Sequence, residues 1–495
     1  MELQFRDTSL RYLRQTAADT RSSEQTLELR LPENMPPIGS VLGAWGQPLL
    51  RGKDWRGDHV AVSGGVMARV LYEAEGGSGI HCVEGWIPFQ LRWELLDSHG
   101  DGNVSVSCLL RGVDARQVGA EKLMLRATVS AVARALEPDS CTLWEPGELP
   151  EDIQLLEVNK PVCLPVEAGE KPMTLEEDLV LPPGKADMEQ LLYYQLSPSV
   201  KEKKVMADKL VLRGAAELHA VYLGTDGMMH TFDTELPISQ FAELEREYGG
   251  DAELWVEPAV TDLELDRLDD GRLRLKAGLL GQYVVYDRPV IRMVRDAYSP
   301  ARPVQLHSQQ VPLPVILEQR VEPVTVEQSI PEQAERVVDS TVYAAQPRVR
   351  PGDRTLQLEG ATQLLYYDAD GRPRGVVTPF AQELQQEGQG QLLASLAPAM
   401  PAQASPGAEE VSLRADMEMQ LWNMDSEGIP MVSGLTVGET SQEDSQRPSL
   451  ILRRAWDMSL WELAKKCGST MEAIRDANGL EGEPEPDQML LIPVF

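Results

Sequence analysis

Residues 60–77 read VAVSGGVMARVLYEAEGG, 210–227 read LVLRGAAELHAVYLGTDG, and 356–371 read LQLEGATQLLYYDADG. Each is a short run of β-branched, aliphatic and aromatic residues around a glycine, closing on a tyrosine and an acidic glycine turn. Such runs read as strands, and the terminal glycine supplies the positive φ of a hairpin loop. Working outward, Leu31-Pro32, Leu181-Pro182 and Ile330-Pro331 open the three stretches at spacings of 150 and 149 residues. Behind each hairpin comes an apolar segment with proline: WIPFQ (86–90), ELPISQ (235–240) and VTPFAQ (377–382). Proline cannot donate to a ladder, so these segments suit edge strands. Each unit then ends on a related strand: LMLRATVSAVARAL (123–136), LRLKAGLLGQYVVYD (273–287) and VSLRADMEMQLWNMD (411–425).

Three landmarks recurring in one order define a tandem repeat, with units over 27–145, 177–295 and 326–430. The third is degenerate, its final tyrosine following the glycine by seven residues rather than eight. Strands and turns at this spacing predict a mostly β chain of three β-sandwich-like units, and no amphipathic helix separates the strands as a parallel sheet would require. Proline-rich or polar stretches at 137–154, 161–172, 297–324 and 436–449 read as linkers.

Residues 450–495 change style. Leu460, Leu463, Ala464 and Cys467, then Met471, Ile474 and Ala477, fall on helical faces broken at Gly468, with Ser469 and Thr470 as N-cap candidates. LILRRA before them and MLLIPVF after them read as strands, giving a small βααβ module.

Length bounds the rest: 495 residues predict three or four domains at a prior of ~150 each. With 78 acidic and 46 basic residues the net charge is −32. A surface of that sign repels phosphate backbones, so no nucleic-acid partner is expected. Nor is membrane insertion, because no run of ~18 apolar residues occurs. At 5% aromatic content the cores should be aliphatic. The five scattered cysteines form no Cys-x-x-Cys pair and read as reduced, partly buried thiols. Without an apolar signal segment in the first twenty residues, a cytoplasmic location is expected.

Catalytic patterns are missing from the sequence. The six histidines form no His-x-x-x-His pair, and neither a Gly-x-Ser-x-Gly elbow nor a phosphate loop occurs. His81 and His230 both follow their hairpins and read as strand-edge residues. The acidic stretch 243–257 reads as a solvated face rather than a calcium loop. The chain is therefore expected to be no enzyme, with no catalytic residue, cofactor or metal.

The tail resembles a LysM domain over SLWELAKKCGSTMEAIRDANGLEGEPEPDQMLLIPV (459–494), through Leu460, Leu463, Gly468, Ile474, Asn478, Gly479, Gln488 and Pro493. That resemblance implies a fold that often binds N-acetylglucosamine polymers. It departs where Asp457-Met458 replace a Gly-Asp and where Asp487 replaces a glycine, which implies reuse for binding protein. Trp456, Asp457, Met458, Trp461, Lys465 and Asn478 are the candidate partner-binding residues. The repeats resemble SPOCS domains of the SipL family of spore-coat morphogenetic proteins, through the Leu/Ile-Pro opening, the Gly-to-Tyr strand, the Pro-Phe or Pro-Ile segment and the Lys/Arg-Ala strand. This implies a non-enzymatic adaptor on the mother-cell side of the forespore, whose tail binds a SpoIVA-like basement protein of the coat. The alternative is a peptidoglycan-binding protein acting through the LysM groove.

Overall fold

The structure, a computed structural model, describes every residue except 78, 96, 99, 399–401, 426, 440–447, 456 and 457. Strands carry nearly all of it. The first unit runs β1 (Glu2–Gln4), β2 (Arg6–Arg30), β3 (Ile38–Arg56), β4 (His59–Ala74), β5 (Ile80–Glu94), β6 (Asn103–Gly119) and β7 (Lys122–Glu145). Two antiparallel sheets, β2-β7-β6 and β3-β4-β5, share one core of Val62, Val66, Val70, Leu91, Leu123, Leu125 and Val129. First and last long strands pair from Arg6↔Glu145 to Arg30↔Lys122, so the unit is closed by its own two ends.

The second unit repeats the plan with β8 (Gln154–Pro161), β9 (Leu164–Leu179), β10 (Met188–Gly224), β11 (Met229–Tyr248), β12 (Glu253–Arg267), β13 (Leu273–Asp287) and β14 (Val290–Tyr298). Its sheets are β9-β13-β12 and β10-β11, with β8 on β14. The long β10 does the work of β3 and β4 together: its halves lie against each other, Ser199 Oγ donating to Ala215 O. The third unit adds β15 (Val304–Val311), β16 (Val315–Ile330), β17 (Arg336–Ala344), β18 (Arg348–Val349), β19 (Thr355–Tyr367), β20 (Pro373–Gln385), β21 (Gln391–Leu396), β22 (Gln403–Pro406), β23 (Val411–Asp425) and β24 (Ile429–Val437). Here β23 joins β16, β21 and β22, β19 joins β17, β18 and β20, and β24 lies between β1 and β15.

The landmarks now have causes. Tyr72 and Tyr222 donate to Pro36 O and Ala186 O, tying the third strand of the unit to the loop that opens it. In the third unit Tyr366 does this, donating to Glu332, while Tyr367 donates nothing there and its hydroxyl accepts from Met229 N of the second unit. Counted to Tyr366, the spacing from Gly360 is six residues, two short of the eight in the other units, and a two-residue difference keeps the tyrosine on the same face of its strand. His81 and His230 pair across from these tyrosines, with ring centroids 5.6 and 5.5 Å away, and Arg374 takes that place opposite Tyr366. The hairpin glycines Gly76, Gly227 and Gly371 sit at φ 81°, 75° and 72°, as their turns require. Pro88, Pro237 and Pro379 lie on β5, β11 and β20, each at the edge of its sheet.

Most stretches read as linkers are strands. β7 runs on to Glu145, β9 takes up 164–172, and β15 and β16 fill 304–311 and 315–324. Their prolines mislead because Pro312 and Pro314 fall between β15 and β16, where no ladder donor is needed. Within 436–449, residues 440–447 lie outside the described residues. The paired strand ends converge: Tyr12, Cys141, Leu164, Ile291, Met293, Val311, Ile429 and Met431 form one cluster drawn from all three units. Beneath it Leu13 and Leu136 meet Trp255, Val284 and Tyr286 and then Ile316, Trp422 and Met424. A further junction gathers Trp45, Tyr193 and Tyr367. The expectation of aliphatic cores holds only in part: Tyr72, Phe89 and Trp93 join the first unit's core, Tyr194, Tyr222 and Phe232 the second's, and further aromatics collect between the units. The five cysteines are free, with Cys141, Cys163 and Cys467 buried. The acidic stretch 243–257 is not wholly solvated either, since Trp255 and Glu257 are buried.

Candidate functional site

The C-terminal module is built as its sequence indicates. β25 (Leu450–Arg454) pairs with β26 (Met489–Pro493), and between them lie α1 (Leu460–Cys467) and α2 (Met471–Asn478). Ser459 caps α1 by accepting from Glu462 N while the Glu462 carboxylate accepts from Ser459 N, a reciprocal pair that satisfies two otherwise orphaned donors. Thr470, rather than Ser469, caps α2. Gly468 and Gly479 end the helices at φ 66° and 62°, where a side chain would strain the backbone. Asp487 adopts φ 65° at the position where the resemblance expects glycine. Leu460, Leu463, Ala464, Ile474, Leu490 and Ile492 make the small core.

Trp456 and Asp457 lie outside the described residues. Met458 is half-buried against the module's core. Asn478 is a clamp: its Nδ2 donates to Ile474 O and Leu491 O, and its Oδ1 accepts from Leu491 N, all at 2.7 Å. Both hydrogen-bonding ends of that amide are thereby used in fixing α2 to β26.

Trp461 and Lys465 face the body of the protein. The Trp461 indole donates to Asp296 Oδ2 at 2.8 Å, and Lys465 Nζ lies 2.8 Å from both oxygens of the same carboxylate. Burial pushes the Asp296 carboxyl up, but the Lys465 and Trp461 hydrogen bonds outweigh it and hold the group below its ordinary value. Tyr298 stacks edge-on to Trp461 at 4.8 Å and donates to Ser469 O at 2.8 Å. The first helix of the tail is thus seated on β14, the last strand of the second unit. Sequence reasoning missed Asp296 and Tyr298, because nothing local in DAYSP marks them as a docking point.

What the tail leaves open is the outer face of its hairpin. Leu450, Leu452, Met489 and Leu491 are 52%, 63%, 48% and 40% exposed, and Leu452 stands opposite Leu491 in register. Ile451, Leu490 and Ile492 point the other way, onto the helices. A two-stranded sheet apolar on both faces, with helices over one, presents the other to whatever binds there. The signal was in the sequence: LILRRA and MLLIPVF lack the polar alternation of a half-solvated hairpin.

Among the described residues no group of three or more His, Cys, Asp and Glu side chains is placed to hold a metal ion, and no helix is long and apolar enough to cross a membrane. Comparison with curated proteins and with solved structures returned no match. The family described as SipL, SPOCS domain matches residues 187–267, which run from the start of β10 to the end of β12, and the LysM domain family matches residues 457–493. A SPOCS domain in the second of three like-built units, followed by a LysM domain in the tail, makes this a SipL-like chain.

Proposed function

We propose that the chain is a non-enzymatic adaptor of spore-coat assembly, at the mother-cell side of the forespore surface. Its modules are the units within 27–145, 177–295 and 326–430 and the tail 450–495. The tail binds a basement protein of the SpoIVA type, and the units scaffold further contacts. The observation that carries this reading is the exposed apolar face of Leu450, Leu452, Met489 and Leu491, since an apolar patch rimmed by charge is the usual signature of a protein interface. Arg454 borders it, 3.9 Å from Asp487. Of the six residues picked from the sequence, Trp461 reaches a partner only when the tail lifts from Asp296, while Lys465 is exposed but engaged by that carboxylate. The hairpin face needs no such release. SPOCS and LysM families are non-catalytic, which accords with an adaptor.

Deleting 450–495 is expected to abolish localisation to the forespore, and Leu452→Glu to weaken partner capture about tenfold or more with the tail still folded. A Leu452→Glu protein that localises and captures normally removes the hairpin face from the reading. The second reading, peptidoglycan binding through the LysM groove, rests on the LysM match. Retention on purified wall sacculi, lost on changing the loop at Asp457 and Met458, would favour it.

A further inference from the structure

The junction of the three units encloses a cavity of about 600 Å³, walled by β3 and β6 of the first, β10, β11 and β12 of the second, and β17 of the third. Among the described residues its lining includes five carboxylates, one histidine, and neither lysine nor arginine. The histidine, His219, is already committed. Its Nδ1 lies 2.6 Å from Asp233 Oδ1, and its Nε2 lies 3.0 Å from Asp339 Oδ1, near enough for an ion pair though off the line of a hydrogen bond. Burial opposes its charge, but the two carboxylates prevail and push it up to about 10. Asp339 also accepts from Tyr193 and Thr341. That triplet carries one positive and two negative charges and has no capacity left for an anion.

Two further acids line the wall outside that triplet. Glu217 stands directly opposite Glu235 in the β10–β11 ladder, a like-charge cross-strand pair that destabilises the sheet, and only Glu235 has a cation at hand, Lys201 at 3.2 Å. Glu257 is only 6% exposed on the cavity wall. Burial pushes its carboxyl up to about 7, against the Ser107 hydroxyl and the positive charges of Arg134 and Lys203. A carboxylic acid held in that state becomes a full anion once a cation is set beside it. Leu50, Leu110, Pro258 and Val260 supply apolar wall between the acids. Among the described residues no three of the acids gather as a metal site would need, so the geometry suits a charge spread along an organic chain.

We propose that this cavity binds a small organic cation, an aliphatic diamine, with Glu257 and Glu217 receiving its ammonium groups and the apolar wall its methylenes. The size falls within the ~300–1,000 Å³ of small-molecule sites, and junctions between units are where such sites concentrate. This inference stands apart from the adaptor reading and survives its failure.

The test is calorimetric titration of the full chain with diaminopentane, and with pentanediol as the uncharged match, at physiological salt. The expected result is one site per chain for the diamine and about tenfold or weaker binding of the diol, since charge-assisted hydrogen bonds are the stronger kind. Glu257→Gln and Glu217→Gln are each expected to weaken the diamine about tenfold. Glu472→Gln, which removes the same charge from the exposed face of α2, leaves it unchanged. Glu217 is half-buried at the wall, so its variant keeps the test readable should Glu257→Gln fail to fold. Many weak sites lowered equally by Glu472→Gln, or a diol that binds as well as the diamine, would overturn the proposal. So would a diamine affinity that Glu217→Gln does not move.

Discussion

A methyl group on Gly214 would stand 2.0 Å from Ser199 O, and the corresponding Gly64 and Gly360 meet Leu49 O and Tyr343 O at 2.2 and 2.0 Å. Backbone cannot yield as a side-chain tip can, so glycine is required where the second strand of each unit crosses the third. This is why the glycine recurs in the stretch that reveals the repeat. Gly214→Ala is expected to lower stability by ~1–3 kcal/mol, the usual range for overpacking. Ala207, seven residues upstream on the same strand, has the opposite problem, with φ at 57°. An L-residue there is strained by ~1–2 kcal/mol, so Ala207→Gly recovers part of that, reduced by glycine's larger unfolded-state entropy. Urea midpoints of the two variants should therefore move in opposite directions from the parent. Equal losses from both would mean that Ala207 is unstrained.

At the scale of elements, the docking of α1 on β14 depends on one carboxylate. Asp296→Ala removes the acceptor of both the Trp461 indole and Lys465. The Lys465 pair is half-exposed and contributes little. The indole is left without its partner in a site where Trp461 is 5% exposed, and an unmet buried donor costs ~1–3 kcal/mol. Hydrogen exchange of the Trp461 indole proton should accelerate about tenfold or more, while the α2 amides, which belong to the tail's own core, keep their protection. Unchanged indole exchange would show that Tyr298 alone seats the helix. The tail's internal fold is legible in the sequence because capping residues, helical spacing and turn glycines act over a few positions. Its seat is not, since Asp296 precedes Trp461 by well over a hundred residues. The same divide separates the hairpins, announced by Asp-Gly and Glu-Gly turns, from the ribbons that close each unit. Arg6 meets Glu145 only through the register of a complete sheet. Prolines near those ribbons resemble linker composition because a strand boundary and a linker both tolerate a missing donor. Of the candidate site, the two apolar strands are legible as strands, but which face of their sheet stays open is decided by where the helices pack.

For the whole molecule, the question is whether three repeats make one folding body. Arg134, from the first unit and 4% exposed, lies with its guanidinium 5.0 Å from the ring centroids of Trp255 in the second unit and Trp422 in the third. Its Nη2 donates to the Tyr286 hydroxyl at 2.5 Å, and among the described residues its Nε and Nη1 have no hydrogen-bond partner. A buried guanidinium without a salt bridge is costly to desolvate, and contact with aromatic faces offsets only part of that, at ~2 kcal/mol or more when dry. What Arg134 gains is position: one side chain touches both other units at their common junction, beneath the apolar collar of strand ends. A repeat array whose copies met only their neighbours would unfold piecemeal. A body closed around shared residues should unfold together. Tryptophan fluorescence and far-UV circular dichroism are therefore expected to trace one coincident transition in urea for the region 1–437, the tail melting with it or later. Arg134→Ala opens a void among Trp255, Tyr286 and Trp422 and should lower that single transition by ~3–5 kcal/mol, as large-to-small changes in packed aromatic surroundings do. Arg134→Met keeps most of the volume and removes the buried charge, and should recover most of the loss or exceed the parent. Two separated transitions, only one of them moved by Arg134→Ala, would mean that the units fold independently and that the junction is contact without cooperation.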